Sequence, residues 1–204
     1  MNKMTFEGKT KDEALLKAKE AFNAKEAELV IVEKENKKTL FNKKVVIDAI
    51  TKEELNNEIK KYIFKILKDM GIEANLEFKK KEGTPYFNVI APNTSVLIGR
   101  SGRTIEALQI IISQMINTEL GAHYRYVLDV NDYKENRKRR LEKLAKYTAK
   151  DVARTKTEAH LEPMNSFERR IIHSTLNESK DVMTESEGEG SERHVVIKLK
   201  KVEQ

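Results

Sequence analysis

Asn93-Thr-Ser-Val-Leu-Ile-Gly-Arg-Ser-Gly-Arg-Thr-Ile105 contains the most informative motif of this chain. Its two glycines, Gly99 and Gly102, bracket a two-residue turn between apolar segments, and glycine lets another backbone approach closely because it lacks a Cβ. The first N–H groups of the helix that follows point outward at its positive end, and Arg100 and Arg103 add charge there. This pattern suits a sugar-phosphate backbone; the alternative is a tight helix–helix turn that uses glycine for shape alone.

The elements around this turn predict the order α-β-β-α-α-β over residues 51–130. Thr51-Lys-Glu-Glu54 has the spacing of a capping box and opens an amphipathic helix, which Gly71 ends. The turn itself is followed by a helix whose apolar stripe includes Ile111. Strands are predicted at 74–78, 86–90 and 124–130 from their alternating or β-branched residues.

Residues 1–50 predict β-α-β-β, with Thr10-Lys-Asp-Glu13 as a second capping box. A basic helix is expected from Asp132 to about 158, capped by Asn131, and a second helix follows Pro163. A closing hairpin of residues 181–187 and 193–200 completes the chain. The fold class is therefore α+β, in three small modules at 1–50, 51–130 and 131–204.

The composition excludes several chemistries. The chain has 204 residues, a net charge of +6 and a pI near 9.2, which favours a polyanionic partner. It has no cysteine and four histidines, so disulfides, thiol catalysis and cysteine zinc sites are excluded, and neither a structural metal site nor a cofactor is expected. The chain contains no nucleotide-binding loop and no His-Glu-x-x-His motif, so neither an enzyme nor a small-molecule substrate is predicted. Without an apolar leader or span, a cytoplasmic location is expected.

A second candidate site lies in the C-terminal region. Arg169 and His173 are four residues apart and share one face of a helix, where Arg can bind phosphate and His can stack on a base. The alternative is a solvated helix face with an incidental histidine. The basic helix carries ten Lys or Arg against four acids over residues 131–157, so part of it is expected to face phosphate rather than solvent alone.

These motifs carry a family resemblance. The α-β-β-α-α-β order with its Gly-x-x-Gly turn resembles a type II KH domain, and Leu161-Glu-Pro-Met-Asn-Ser-Phe-Glu-Arg-Arg-Ile-Ile-His173 resembles the Arg-xxx-His single-strand-binding domain. With the N-terminal module before them, they resemble the Jag (SpoIIIJ-associated, or KhpB) family. Further matches are Leu128-Asp-Val130, Tyr133, Arg137, Thr184, Ser186, Gly188, Arg193 and Val195-Val-Ile197. Two departures are Thr39 and Asn42, at the places of glycines in the N-terminal module, and Ser191, where the family tends to have proline.

The resemblance implies where RNA would bind. A KH loop clamps about four nucleotides of a single strand beside an apolar groove. The residues implied for this loop and groove are Val96, Ile98, Gly99, Arg100, Ser101, Gly102, Arg103 and Ile105. Those implied for the Arg-xxx-His face and the basic helix are Arg169, Arg170, His173, Arg137 and Arg140.

The resemblance also implies a cellular role. It predicts a post-transcriptional regulator that acts on cell-envelope or division genes, with a small stand-alone KH protein as a partner and an association with a membrane insertase. A homodimer is an open alternative to a monomer. The rival function is a protein-interaction adaptor near the insertase, for which RNA contact is secondary; a DNA-binding function is less favoured. A salt titration of RNA binding separates the first two.

Overall fold

The computed structural model describes residues 1–34, 38–39 and 42–200. They form two compact units, Met1–Asn131 and one that begins at Asp132. Helices and strands alternate in both units, which confirms the predicted α+β class. The predicted loop at 37–42 falls mostly outside the described residues; Thr39 and Asn42 pair across a two-residue ladder, and their side chains are not described.

The N-terminal sheet is antiparallel, with the strand Val45–Thr51 in its centre between the strands Met4–Gly8 and Leu29–Lys34. The Thr10 hydroxyl accepts the Glu13 N–H at 3.2 Å and so caps the helix that packs on this sheet. Ala14 and Ala18 of that helix are fully buried against the strands. The elements are β1 (Met4–Gly8), α1 (Lys11–Phe22), β2 (Leu29–Lys34), β3 (Lys38–Thr39), β4 (Asn42–Lys43) and β5 (Val45–Thr51).

The next elements follow the predicted order: α2 (Lys52–Asp69), β6 (Asn75–Lys81), β7 (Thr84–Ile90), α3 (Ser95–Ile98), α4 (Arg103–Leu120) and β8 (Val127–Val130). The sheet has the order β6-β7-β8, with β6 antiparallel and β8 parallel to β7. Thr51 caps α2 by accepting the Glu54 N–H at 3.1 Å. The long helices α2 and α4 bury Leu55, Ile59, Ile112 and Ile116 with Phe87 of the sheet in one core.

This core extends to the N-terminal sheet. Because side chains alternate along a strand, Ala49 of β5 packs in the core with α1, whereas Ile50 packs in the core with α2 and α4. Val30 and Val32 of β2 also pack against the core formed with α2 and α4. A Cβ placed on Gly121, just after α4, would lie 3.7 Å from a methyl group of Val32. The N-terminal sheet is therefore covered by helices on both faces.

Two predictions in this unit are corrected. Ile111 is 51% exposed because the buried stripe of α4 runs through Ile105, Ile112, Ile116 and Leu120, which places Ile111 on another side of the helix. Asn131 does not cap the basic helix. Its side-chain amide bonds both backbone groups of Ala91, accepting the N–H at 3.2 Å and donating to the carbonyl at 2.9 Å, and Asp132 occupies the cap position.

The C-terminal unit contains α5 (Tyr133–Thr155), β9 (Ala159–His160), α6 (Ser166–Leu176), β10 (Val182–Glu187) and β11 (His194–Leu199). The strands form an antiparallel sheet with the order β10-β11-β9. Leu141 and Val152 of α5 and Ile172 of α6 pack on the side of β11 that bears Val195 and Ile197. Among the described residues of the whole chain, no helix is long and apolar enough to cross a membrane.

Asp48, on the central strand of the first sheet, is a carboxylate that is only 2% exposed. It accepts a hydrogen bond from the Thr5 hydroxyl at 2.6 Å and forms ion pairs with Lys34 at 2.8 Å and Lys3 at 3.3 Å. Burial acts to raise the pKa of Asp48, but the contacts with Lys34, Thr5 and Lys3 outweigh it and lower the pKa overall.

We expect acid to destabilise this unit through Asp48. Because its pKa is lower in the folded chain, the carboxylate contributes stability that is present above about pH 4 and is lost as the pH falls through the folded pKa. Urea unfolding of the wild type and Asp48→Asn should show a gap in unfolding free energy at pH 7 that narrows with acid. Glu20→Gln, at an exposed position of α1, serves as the control. A gap for Asp48→Asn that stays constant with pH would contradict this assignment.

Candidate nucleic-acid interface

The turn between α3 and α4 has a backbone that requires glycine. Gly99 has φ 69° and ψ −177°, a region that is open essentially to glycine alone. A Cβ on Gly99 would lie 2.1 Å from the Thr104 hydroxyl oxygen, so any side chain here must displace Thr104 at the start of α4. Ser101 and Gly102 also have positive φ, at 52° and 79°. The shape of the turn therefore depends on the glycines, which fits both alternatives that the sequence leaves open.

The charges at this turn favour an anionic ligand. Helix α4 begins at Arg103 after Gly102, and within the described residues no side-chain hydrogen bond caps its start. Arg100 and Arg103 are exposed, and within the described part of the chain neither forms an ion pair with a carboxylate. Uncapped N–H groups and unpaired guanidinium groups together attract phosphate.

The predicted apolar groove beside the turn is only partly open. Val96 is 59% exposed and Ile98 is half-buried, so both could contact a base. Ile105 is corrected: it is 1% exposed and belongs to the core between the helices and the sheet. Its place on the buried stripe of α4 explains this, and it supports the turn from beneath.

Arg137 has a structural partner that its motif did not predict. Its Nε donates to a carboxylate oxygen of Glu168 at 2.7 Å, and Glu168 is only 4% exposed. Glu168 also forms a capping box with Asn165 at the start of α6: the Asn165 side chain accepts the Glu168 N–H at 2.9 Å, and the Glu168 side chain accepts the Asn165 N–H at 3.3 Å. Arg137 therefore fixes the helix that carries Arg169 and His173.

His173 is held on the hairpin side of α6. Its Nδ1 lies 2.6 Å from the hydroxyl oxygen of Thr184 and its Nε2 lies 2.8 Å from that of Ser186, both on β10. Burial, and then the charge of Arg169, lower the pKa of His173, which favours the neutral ring. A neutral ring donates through one nitrogen and accepts through the other, and hydroxyl groups can satisfy both. The sequence singled out Thr184 and Ser186, but only the strand register brings them to the histidine.

Arg169 lies one turn before His173 on the same helix. Its Nε is buried, and within the described residues it has no hydrogen-bond partner. No carboxylate of that part of the chain forms an ion pair with it. A buried donor without a partner needs an explanation, and an uncompensated guanidinium group is available to an acidic ligand.

The opposite flank of α6 forms an open groove with α5 that sequence reasoning missed. The groove has a volume of about 570 Å³ and is lined by Lys138, Glu142, Lys146, Phe167, Arg170, Ile171, Ser174 and Thr175. The Phe167 ring is 63% exposed. A water-exposed aromatic ring among cations is typical of surfaces that stack unpaired bases beside a neutralised backbone. The helical spacing of 167, 170, 171 and 174 could have indicated this surface.

The remaining cations of α5 fall into two groups. Arg139 pairs with Glu135 at 3.2 Å and Arg154 with Asp151 at 2.9 Å, so these two cations are partly neutralised. Within the described ranges, no ion pair involves the exposed residues Arg140, Lys138, Lys143, Lys146 and Lys150 or, on α6, Arg170. The surplus charge of the basic helix therefore concentrates on side chains that are free to meet phosphate.

Comparison with known proteins places these features in a family context. Residues 139–199, which include Arg169 and His173, match the model of the Arg-xxx-His domain. The chain is 36% identical to the RNA-binding protein KhpB of Clostridium symbiosum over 98% of this chain and 93% of that protein. It is 29% identical to the protein of that name from Bacillus subtilis strain 168, over 98% and 100%. A match of 37% identity to the one from Lactiplantibacillus plantarum covers 69% of this chain and 44% of that protein.

Proposed function

Since the chain belongs to the KhpB family of RNA-binding proteins, we propose that it binds single-stranded RNA and does so without turnover. The groove between α5 and α6 is the observation that carries this proposal. Lys138, Lys146 and Arg170, which form no ion pair within the described residues, line this groove together with the exposed ring of Phe167. A duplex hides the faces of its bases, so such a ring favours an unpaired strand.

The first unit contributes a second contact in this proposal. The α-β-β-α-α-β order and the strained Gly99–Gly102 turn support a type II KH domain within residues 51–130. There, Arg100 and Arg103 and the uncapped start of α4 meet the phosphates, while Val96 contacts a base. The three-module division at residues 50 and 130 belongs to the same proposal.

The Arg-xxx-His face is the third contact. Arg169 supplies the charge that binds a phosphate, and His173 orients the hydroxyl groups of Thr184 and Ser186 toward the RNA strand. Arg140 and Arg170 extend the positive surface on α5 and α6. Arg137 acts mainly through Glu168, so its contribution to RNA affinity is indirect.

Removing the aromatic ring in the groove tests the proposal. Phe167→Ala should weaken the binding of a single-stranded RNA by about 1–3 kcal/mol, which is the value of one stacked base, and should leave the thermal unfolding midpoint nearly unchanged. Fluorescence anisotropy with a labelled oligonucleotide measures the affinity. Tyr147→Ala is the matched control, since Tyr147 is 69% exposed on α5 but does not line the groove. Equal losses for the two variants would show that the groove stacks no base.

The cellular role is proposed on the resemblance of the motifs. The protein acts in the cytoplasm as a post-transcriptional regulator of cell-envelope or division genes, together with a small stand-alone KH protein and in association with a membrane insertase. Crosslinking in cells, followed by sequencing of the bound RNA, tests this role. Recovered transcripts should be enriched in envelope and division genes relative to the Phe167→Ala variant; an enrichment that is the same for both chains would contradict it.

A further inference from the structure

Two histidines that are far apart in the sequence meet on the outer face of the C-terminal sheet. His160 on β9 is opposite Val196 of β11, and His194 is two residues before Val196, so both rings project on the same face. Nδ1 of His160 lies 3.2 Å from Nε2 of His194. Glu187, the β10 partner of His194 in the sheet register, brings a carboxylate to the pair. One ligand atom from each of these three residues lies within 4.8 Å of the other two.

The outer nitrogens of both rings already have acceptors. Nε2 of His160 lies 3.2 Å from a carboxylate oxygen of Glu158, and Nδ1 of His194 lies 2.9 Å from the backbone carbonyl oxygen of Glu192. A carboxylate oxygen and a carbonyl oxygen both act as acceptors, so this geometry favours the tautomer that places the N–H on each outer nitrogen. In that tautomer the two inner nitrogens, 3.2 Å apart, present lone pairs to each other. Such a contact is repulsive unless a cation lies between them.

We propose that this cation is a divalent transition metal, with Zn²⁺ as the best match, bound by His160, His194 and Glu187. Two nitrogens that ligate tetrahedral zinc at about 2.0–2.1 Å are roughly 3.3 Å apart, close to the separation seen here. Two imidazoles and one carboxylate form a ligand set that zinc accepts, with water in the fourth position. The contact of Glu158 with the outer nitrogen of His160 supplies the carboxylate partner that zinc-bound histidines usually have.

Lys198 is the group that competes for Glu187. Its ammonium lies 2.6 Å from Glu187 and 2.9 Å from Glu185. Because Glu185 can retain the lysine, Glu187 can turn one oxygen to the metal without leaving an unpaired cation. The site needs no cysteine, and its exposure makes the metal exchangeable. Mg²⁺ and Ca²⁺, which prefer cages of oxygen ligands, are poor candidates.

The metal would fasten a short strand. β9 has only two residues, and its pairing with β11 involves Ala159 and His160. A metal held by β9, β10 and β11 would join all three strands of the C-terminal sheet. This inference departs from the expectation of no metal site, and it is independent of RNA binding.

A calorimetric titration of the full-length, tag-free chain with ZnCl₂ tests the site. We expect one Zn²⁺ per chain and a rise in the thermal unfolding midpoint that EDTA reverses and MgCl₂ does not produce. His160→Gln and His194→Gln should each lower the Zn²⁺ affinity by more than about 100-fold, and Glu158→Ala by about 10- to 100-fold as the loss of an outer partner.

His123→Gln is the matched control, because His123 is also exposed but lies on the first unit, near Asn117. It should keep the wild-type affinity. Unfolding midpoints measured in EDTA establish that each variant folds. If the wild type takes up no Zn²⁺, or if His123→Gln lowers the affinity as much as His194→Gln does, the proposed site is wrong and a shared proton separates the two rings.

Discussion

Replacing both arginines of the Gly99–Gly102 turn, as Arg100→Glu with Arg103→Glu, should weaken the binding of single-stranded RNA by roughly 100-fold at low salt. Each substitution removes one phosphate contact, for which about tenfold, or ~1.4 kcal/mol, is expected. The slope of log affinity against log salt concentration should also fall by about 2, because it counts the phosphates that the protein neutralises. Fluorescence anisotropy at several salt concentrations measures both quantities.

The matched control for this charge reversal is Lys65→Glu with Lys68→Glu. These lysines are exposed on α2 in the same unit, and the change in net charge is identical. Because both arginines of the turn are exposed as well, neither double variant should unfold the chain. If the α2 variant loses as much affinity as the turn variant, the turn contributes only general charge, and the assignment of a phosphate-binding loop is wrong.

Glu168→Ala should cost the C-terminal unit about 2–4 kcal/mol of unfolding free energy. The substitution removes half of the α6 capping box and leaves Arg137, whose side chain is 27% exposed, without its carboxylate. The expected cost is below that for a fully buried pair because water reaches the guanidinium group. Urea unfolding followed by circular dichroism measures the loss.

Two further variants separate stability from binding. Glu168→Gln keeps an acceptor for the cap but loses the charge, so it should fall between wild type and Glu168→Ala. Arg137→Ala should lower stability and RNA affinity together, whereas Arg140→Ala, at an exposed cation without an ion pair in the described residues, should lower RNA affinity alone. An Arg137→Ala chain that keeps its stability but loses affinity would make Arg137 a direct RNA contact instead.

Local chemistry explains what the sequence could predict. The hydroxyl halves of the two predicted capping boxes form, because a hydroxyl three residues before an N–H reaches it within one turn. The Glu13 carboxylate, however, accepts the N–H of Lys9 at 2.8 Å, one residue before the predicted Thr10. The element order of residues 51–130 follows from periodicity and from glycines that end helices. The candidate residues Arg169 and His173 do lie on one helix, where a spacing of four residues makes them neighbours one turn apart.

Contacts between distant segments could not be predicted in this way. The role of Asn131 depends on Ala91 on a neighbouring strand, which outweighs its local preference for a helix cap. Glu168 gave no sign of its ion pair with Arg137, 31 residues away. His160 and His194 meet only because of the sheet register, and no local pattern encodes that register.

The position of a buried stripe is also a tertiary property. A helix such as α4 has apolar residues on several sides, and the side that its neighbours cover is the one that is buried. Ile105 is therefore buried, while Ile110 is 68% exposed. For the same reason the groove of Phe167 depends on how α5 and α6 pack, which the sequence of α6 alone does not define.

Binding of one RNA in two forms is a direct test of the preference for single strands. The full chain is titrated with an unpaired RNA of about twelve nucleotides, roughly three times the footprint of a single KH loop, and with the same RNA annealed to its complement. We expect tighter binding of the single strand, with an affinity that falls steeply as salt increases, and weaker binding of the duplex. Equal affinities for the two forms, or no measurable affinity for the single strand at low salt, would contradict it.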